Sequence, residues 1–155
     1  ATVALAIPLY TQFKRVKSML LPVIAGLLAG SLTAAFSAIA IAKLFGASLP
    51  TQLSLAPKSV TTPIAMGIAE RIGGIPSLTA VLVIATGILG AVGARYVFNA
   101  LRIQDQAIRG FAIGVASHGI GTARAFQVSE QTGAFAALAM GLNGALTALL
   151  LPMLI

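Results

Sequence analysis

APKSVTTPIA, at residues 56–65, is a polar, helix-breaking stretch inside a very apolar chain, and ASHGIGTARA, at residues 116–125, matches it sixty positions later. In a lipid-soluble chain, polar segments that interrupt helices usually mark a ligand site. A duplicated pair of such segments is typical of transporters that are built from internal repeats. The two stretches therefore predict an internal duplication with a polar site at its centre.

The composition predicts a membrane protein. The chain has 155 residues, of which 58% are hydrophobic and 8% charged, and its mean hydropathy is +1.00. A soluble domain carries about 25% charged residues, so this chain has too few to cover a surface in water. Residues 19–42, 72–94 and 131–155 contain no charge. A crossing needs about 20 helical residues, so we predict three spans near residues 18–45, 77–101 and 133–155.

Composition also argues against several functions. The net charge of +7 comes from residues at the ends of apolar runs, so it indicates orientation in a membrane and not nucleic-acid binding. The sequence has no cysteine, one histidine and three acids, and it lacks a Walker motif. We therefore expect no enzyme activity, no cofactor and no metal site. The first ten residues are apolar but too short to cross, which suggests a fragment without its upstream helices.

Charge placement predicts the topology. The cluster Lys14, Arg15 and Lys17 and the later group of Arg95, Arg102 and Arg109 should both lie in the cytoplasm, so the first two spans run in opposite directions. The segment at residues 47–76 then begins and ends outside, and it is too short and polar to cross twice. A re-entrant hairpin fits, whereas a single crossing would put the later arginines outside.

Each polar segment is predicted to contain a half-length helix. Thr62 is a good cap for a helix over residues 63–72, which is about 15 Å long, or half of the hydrocarbon core. Thr122 takes the same position before a helix over residues 123–131, entered from the inner side. We predict an all-α polytopic membrane protein with inverted repeats and two re-entrant or broken-helix segments. Residues 1–155 form one domain, with repeat 1 at about 18–76 and repeat 2 at about 77–155.

The polar segments predict an anion site at two opposed half-helix N-termini, because such ends carry partial positive charge. The candidate substrate-binding residues are Lys58, Ser59, Thr61, Thr62, Ser117, His118, Gly119, Gly121, Thr122, Arg124 and Asn143. Purely structural roles stay open for them. Lys58 would then snorkel to the interface, Arg124 would pair with Glu130 or Glu70, and His118 and Asn143 would only bond neighbouring helices.

These motifs resemble the LrgB/CidB (YohK-like) family of membrane proteins along essentially the whole chain. The resemblance is carried by ATVALAIPLY at 1–10, PKSVTTPIA at 57–65, GGIPSLTA at 73–80, ASHGIGTARA at 116–125 and AMGLNG at 139–144. The resemblance implies a bacterial inner-membrane protein with one of two functions. One is antiholin-like or holin-like control of murein hydrolases and lysis, with an LrgA/CidA-type partner. The other is carriage of small carboxylates, as in related plastid glycolate/glycerate transporters.

The residues favour the carrier, because a lytic pore needs no duplicated, cation-bearing helix breaks. We expect secondary transport of a small monocarboxylate of the glycolate, glycerate or pyruvate class, with proton coupling through His118 as an option. The partners would be the lipid bilayer, the carboxylate, an LrgA/CidA-like protein and further copies of the chain. The alternatives are a lysis regulator and a structural membrane scaffold, and the scaffold predicts no solute flux.

Overall fold

The structure is a computed structural model that describes residues 6–155, and this part of the chain is helical without strands. The all-α fold class is therefore confirmed. The helices are α1 (Ala6–Thr11), α2 (Phe13–Ser18), α3 (Leu20–Leu44), α4 (Leu49–Leu55), α5 (Thr62–Ile72), α6 (Pro76–Ala100), α7 (Gln106–Val128) and α8 (Glu130–Leu154).

Helices α3, α6 and α8 are long and apolar enough to cross a membrane. Each has 25 residues, which corresponds to about 37 Å and exceeds a hydrocarbon core of about 30 Å. Leu21, Val92 and Leu149 are exposed on the outer faces of these helices, as expected for contact with lipid. The three predicted spans are confirmed. The last begins at Glu130, because the Ser129 hydroxyl caps α8 by accepting the Thr132 N–H at 3.0 Å.

The first polar segment forms a hairpin, called hairpin 1, from α4, the turn at residues 56–61 and α5. The chain reverses in this turn, so the end of α5 lies beside α4. The Ser54 hydroxyl accepts the Ile75 N–H at 2.8 Å, and the Ser54 carbonyl accepts the Thr79 hydroxyl at 3.0 Å. One detail of the prediction was wrong, because Thr61 and not Thr62 occupies the N-cap position. A short helix, α4, also precedes the turn.

The second polar segment forms hairpin 2, which is α7 folded back on itself at His118. His118 has φ 41° and ψ −133°, which separates one arm at residues 106–117 from another at residues 119–128. A Cβ added to Gly121 would lie 2.7 Å from Ile113 Cγ2, although residues eight apart in a straight helix are about 12 Å apart. The arms therefore pack antiparallel.

The predicted cap and helix in this second segment were wrong. Thr122 lies inside the second arm, where its hydroxyl donates to the His118 carbonyl at 2.7 Å. The arm ends at Val128 and Gln131 belongs to α8, because Ser129 is extended and starts the next helix.

The hairpins enter the bundle from opposite ends. Hairpin 1 lies between the end of α3 and the start of α6, whereas hairpin 2 lies between the end of α6 and the start of α8. We call the end where α6 starts the far end and the end where α6 finishes the basic end. At or near the basic end lie Lys14, Arg15, Lys17, Arg95, Arg102, Arg109 and Arg124, and at the far end Lys43 and Arg71.

The tips of the hairpins meet near midspan. The His118 ring bonds to Val83 in the first half of α6, and the Ser59 carbonyl bonds to Asn143 at the middle of α8. Two re-entrant hairpins of opposite orientation therefore approach one level of the bundle. The exact limits of the two repeats, 18–76 and 77–155, stay a prediction.

Candidate functional site

A cavity of about 800 Å³ extends from the basic end of the bundle to the hairpin tips. Its walls are the first half of α3, the middle of α6 and the first arm of hairpin 2. Met19 and Ile108 line it at the basic end, and Lys58 and Ser59 line it at midspan. The cavity, called the vestibule, therefore runs along the bundle from the level of the basic end to the tip of hairpin 1.

Lys58 is the cation at the inner end of this vestibule. Its side chain is half-buried, and its ammonium group donates to the Ser59 hydroxyl at 3.3 Å. No acidic side chain lines the cavity. Within residues 6–155 the one ion pair joins Arg15 and Asp105 at 2.7 Å. Lys58 thus has no carboxylate of the described chain beside it.

Hydroxyl groups from three elements accompany Lys58. Ser59 belongs to the tip of hairpin 1, Ser117 immediately precedes the reversal of hairpin 2, and Thr86 lies in α6. The rest of the lining is apolar, with Phe111 and Phe135 as its largest side chains. A cation with a few hydroxyls in an otherwise apolar pocket suits a small anion that also has hydrogen-bonding groups.

Beyond Lys58 the bundle is closed. Val60, Ala65 and Val83 are almost completely buried and pack into one core together with Ala35 and Leu151. This core fills the half of the bundle toward the far end, where α5 returns to the surface. The vestibule consequently lies on the basic-end side of this core, and packed side chains occupy the far half.

Asn143 joins both hairpins to α8 and is 1% exposed. Its amide nitrogen donates to the Ser59 carbonyl at 3.2 Å and to the Val115 carbonyl at 3.0 Å. Its amide oxygen accepts the hydroxyls of Ser31 at 2.5 Å and Thr147 at 3.3 Å. The side chain is therefore a junction between hairpin 1, hairpin 2, α3 and α8.

His118 forms the tip of hairpin 2 and lies outside the cavity lining. It is buried, and its Nε2 atom lies 2.9 Å from the Val83 carbonyl. The ring packs so closely on α6 that a Cβ added to Gly87 would lie 2.8 Å from its Cε1 atom. The structure thus anchors the hairpin tip to α6 through this ring.

The remaining candidates are spread along the hairpins. Arg124 is exposed, donates to the Gln127 side chain at 2.7 Å and does not line the cavity. Thr61 and Thr62 are half-buried at the start of α5. Gly121 allows close packing of the second arm against Ser117 and Ile113, whereas a Cβ added to Gly119 would make only an ordinary contact with Met140 at 3.9 Å. Of the cations named from sequence, the structure brings Lys58 to the cavity and leaves Arg124 on the surface.

Two polar residues near the cavity were not predicted from the sequence. Thr86 lines the cavity, and Ser31 binds Asn143. Both lie inside apolar spans, where a hydroxyl interrupts a row of small and aliphatic residues. Their positions at midspan were the available signal, because polar side chains at that depth need a partner.

Known proteins match this chain along its whole length, both as a family profile and as individual relatives. The sequence profile described as the LrgB-like family matches residues 1–155. The chain is 41% identical over 155 residues to "Uncharacterized protein YwbG" of Bacillus subtilis (strain 168), covering 100% of this chain and 69% of that protein. It is 35% identical to "Uncharacterized protein YxaC" of the same strain, with 100% and 67% covered.

A relative with a functional name is "Antiholin-like protein LrgB" of Bacillus cereus (strain B4264). It is 32% identical over 154 residues, with 99% of this chain and 66% of that protein covered. The chain spans about two thirds of the length of these relatives. No solved structure matches the chain.

Proposed function

Because the chain belongs to the LrgB-like family, and because its hairpins meet beside a vestibule with one cation, we propose that it carries small monocarboxylates across a membrane. The substrates would be of the glycolate, glycerate or pyruvate class. The observation that carries this proposal is Lys58, a half-buried ammonium group at the end of the vestibule with no carboxylate of the described chain beside it.

The physical argument is one of charge compensation. A cation held away from bulk water is costly unless an anion neutralises it, so a carboxylate that enters the vestibule gains Coulomb energy at Lys58. The hydroxyls of Ser59, Ser117 and Thr86 would bind a second oxygen or a substrate hydroxyl. The N-terminus of α5, which starts four residues after Lys58, adds partial positive charge at the same tip.

The shape of the vestibule supports a carrier more than a pore. It ends at packed side chains around Val60, so a solute that reaches Lys58 has no open route onward. A carrier passes solutes by opening the two halves in turn around one site. The basic end would lie in the cytoplasm of a bacterium, since cytoplasmic loops are rich in lysine and arginine.

Uptake into proteoliposomes tests the proposal with labelled pyruvate, glycolate and glycerate. We expect saturable uptake that falls about tenfold or more in Lys58→Gln, because a lost charged hydrogen bond costs about 1.5–3 kcal/mol. Arg124→Gln is the matched control and should retain uptake, since Arg124 lies outside the cavity. Equal leakage of unrelated small solutes would contradict a carrier, and equal losses in both variants would contradict the site at Lys58.

The second candidate is an antiholin-like regulator of murein hydrolases that acts with an LrgA/CidA-type partner. The name of the Bacillus cereus relatives supports this function more directly than it supports transport. Measuring lysis and solute uptake in the same cells separates the two functions. A regulator predicts that Lys58→Gln leaves uptake unaffected and alters lysis, whereas a carrier whose flux indirectly affects lysis predicts that both change together.

A further inference from the structure

We infer that Asn143 is a positioning residue that clamps the two hairpin tips together and so keeps the far half of the bundle closed. The carrier proposal gives this clamp its functional meaning, but the clamp itself is a property of the fold. It is therefore testable without any measurement of transport.

All hydrogen-bonding groups of the Asn143 amide are occupied. An asparagine side chain has two N–H donors and an oxygen that accepts two hydrogen bonds. The donors go to the carbonyls of Ser59 and Val115, and the oxygen accepts from Ser31 and Thr147. Since carbonyls can only accept, they fix which side of the amide carries the nitrogen. No group of Asn143 remains for a substrate, so it acts as a clamp and not as a ligand.

The two carbonyls belong to the places where the hairpins are least regular. Ser59 lies in the turn of hairpin 1, and Val115 lies three residues before the reversal at His118. Carbonyls near helix breaks lack the usual intrahelical partner, and burying them unpaired is costly. Asn143 donates to both carbonyls from one side chain of α8, so the positions of the two tips depend on each other.

The clamp lies at the boundary between the open and closed halves. On one side, Ser59 and Val115 line the vestibule. On the other, Val60 is 1% exposed and belongs to the core that shuts the far half. Moving hairpin 1 away from hairpin 2 requires at least one of the Asn143 donor bonds to break. An opening toward the far end that separates the two tips must therefore release this clamp.

Thiol labelling tests the clamp, since the chain has no cysteine of its own. Val60→Cys places a small thiol in the closed half, and Ala116→Cys places one at an exposed position of the vestibule lining. With a membrane-impermeant maleimide applied from the far end, we expect Asn143→Ala to raise the labelling rate at position 60 about tenfold or more. Thr147→Val is the matched control, because it removes one long bond to the amide oxygen and leaves both donors in place.

The side from which labelling rises distinguishes a clamp from a general structural role. Release of the clamp raises labelling at position 60 from the far end and leaves labelling at position 116 from the basic end unchanged. A rise from both ends, or no rise at position 60 while position 116 still reacts, would overturn the inference. If Asn143→Ala does not insert, Asn143→Asp decides by the same readout, because it keeps the size and loses the donors. If Asn143→Ala raises labelling at position 60 but the parent protein shows no carboxylate uptake, the clamp inference stands and the carrier proposal is refuted.

Discussion

His118 and Asp105 show how single residues determine the shape of hairpin 2. His118 adopts a positive φ of 41° at the reversal, a region that residues with a Cβ rarely occupy. Its ring compensates by bonding to the Val83 carbonyl and packing on Gly87. Asp105 starts the same hairpin as the N-cap of α7. One residue thus fixes where the hairpin starts, and the other fixes where it turns.

Replacing His118 by glycine or by alanine separates the backbone strain from the role of the ring. Both changes remove the bond to Val83, but glycine has no Cβ to oppose the positive φ. We expect His118→Gly to be more stable than His118→Ala by about 1–3 kcal/mol, the typical cost of holding a residue with a Cβ in a sparsely populated backbone region. Unfolding in mixed micelles with increasing dodecyl sulfate measures the difference. Equal stability of the two variants would mean that the turn relaxes without the ring.

Acid should loosen the start of hairpin 2 through Asp105, which lies in the loop outside the spans. Hydrogen bonds from the Ile108 and Ala107 N–H groups, together with the charge of Arg15, lower the pKa of the Asp105 carboxyl, against a smaller opposing effect of burial. Because its pKa is lower in the folded protein, the unfolded chain binds more protons in acid. The stabilisation is complete well above the unfolded value of about 3.9 and is lost as the pH falls through the folded pKa.

Amide hydrogen exchange at Ala107 and Ile108 between about pH 6 and pH 3 measures this loss, after correction for the intrinsic pH dependence of exchange. We expect protection to decrease on acidification in the parent protein. Asp105→Asn is the control, since asparagine also caps helices but does not titrate in this range. A parent protein whose protection stays constant, or a control that shows the same decrease, would refute the role of this carboxylate.

At the scale of the elements, glycines let hairpin 2 approach its neighbours at backbone distance. Gly110 and Gly114 in the first arm lie against the backbone of α8, and a Cβ at Gly114 would overlap the Ala136 carbonyl oxygen. Gly90 in α6 faces the Ser117 hydroxyl in the same manner. Helices in lipid associate by such close packing, because no hydrophobic effect drives them together there. Close packing against α8 and α6 is therefore the main interaction that holds hairpin 2 in place.

Alanine at Gly114 should disturb this packing. The added methyl group would meet rigid backbone, so we expect a loss of about 1–3 kcal/mol in stability. Gly141→Ala is the matched control, because position 141 is exposed on α8 with open space around it, and helix propensity favours alanine by up to about 1 kcal/mol. The same detergent unfolding measures both variants. A neutral Gly114→Ala would show that the first arm shifts away from α8 at little cost.

At the scale of the whole molecule, charge and cavity point in the same direction. The vestibule lies on the side of the basic end, and the far half, whose end carries Lys43 and Arg71, is filled by packed side chains. From the rule that basic loops stay in the cytoplasm, we predict that the vestibule lies on the cytoplasmic side. An anion in the cytoplasm would then meet the basic residues before it reaches Lys58.

Single cysteines at the two ends test this orientation. Ser48→Cys lies at the exposed start of hairpin 1, and Gln104→Cys lies in the exposed loop before hairpin 2. We expect an impermeant maleimide to label position 48 from outside intact cells and position 104 only after the membrane is opened. Labelling of both positions from outside would mean that the hairpins do not enter from opposite sides, and the reverse pattern would invert the orientation.

Sequence reasoning predicted the spans and hairpins well, and the details of the site less well. The spans followed from uncharged runs that are long enough to cross. The caps were misplaced at Thr62 and Thr122, because a cap depends on the backbone angles of one residue, and several neighbouring threonines qualify equally. Arg124 was grouped with Lys58 because both lie in matching segments, but a helical arm directs side chains around its axis, and Arg124 faces outward.

The sequence by itself determined that lipid surrounds the chain, how many spans there are and where the two helix breaks lie. These properties depend on composition and on local helix-breaking residues. Tertiary structure alone decided which polar groups meet. In the sequence, Asn143 is one polar residue in an apolar span. In the structure it joins both hairpins by donating to carbonyls 84 and 28 residues away. Contacts between residues so distant in sequence arise from packing of whole helices, which no local pattern encodes.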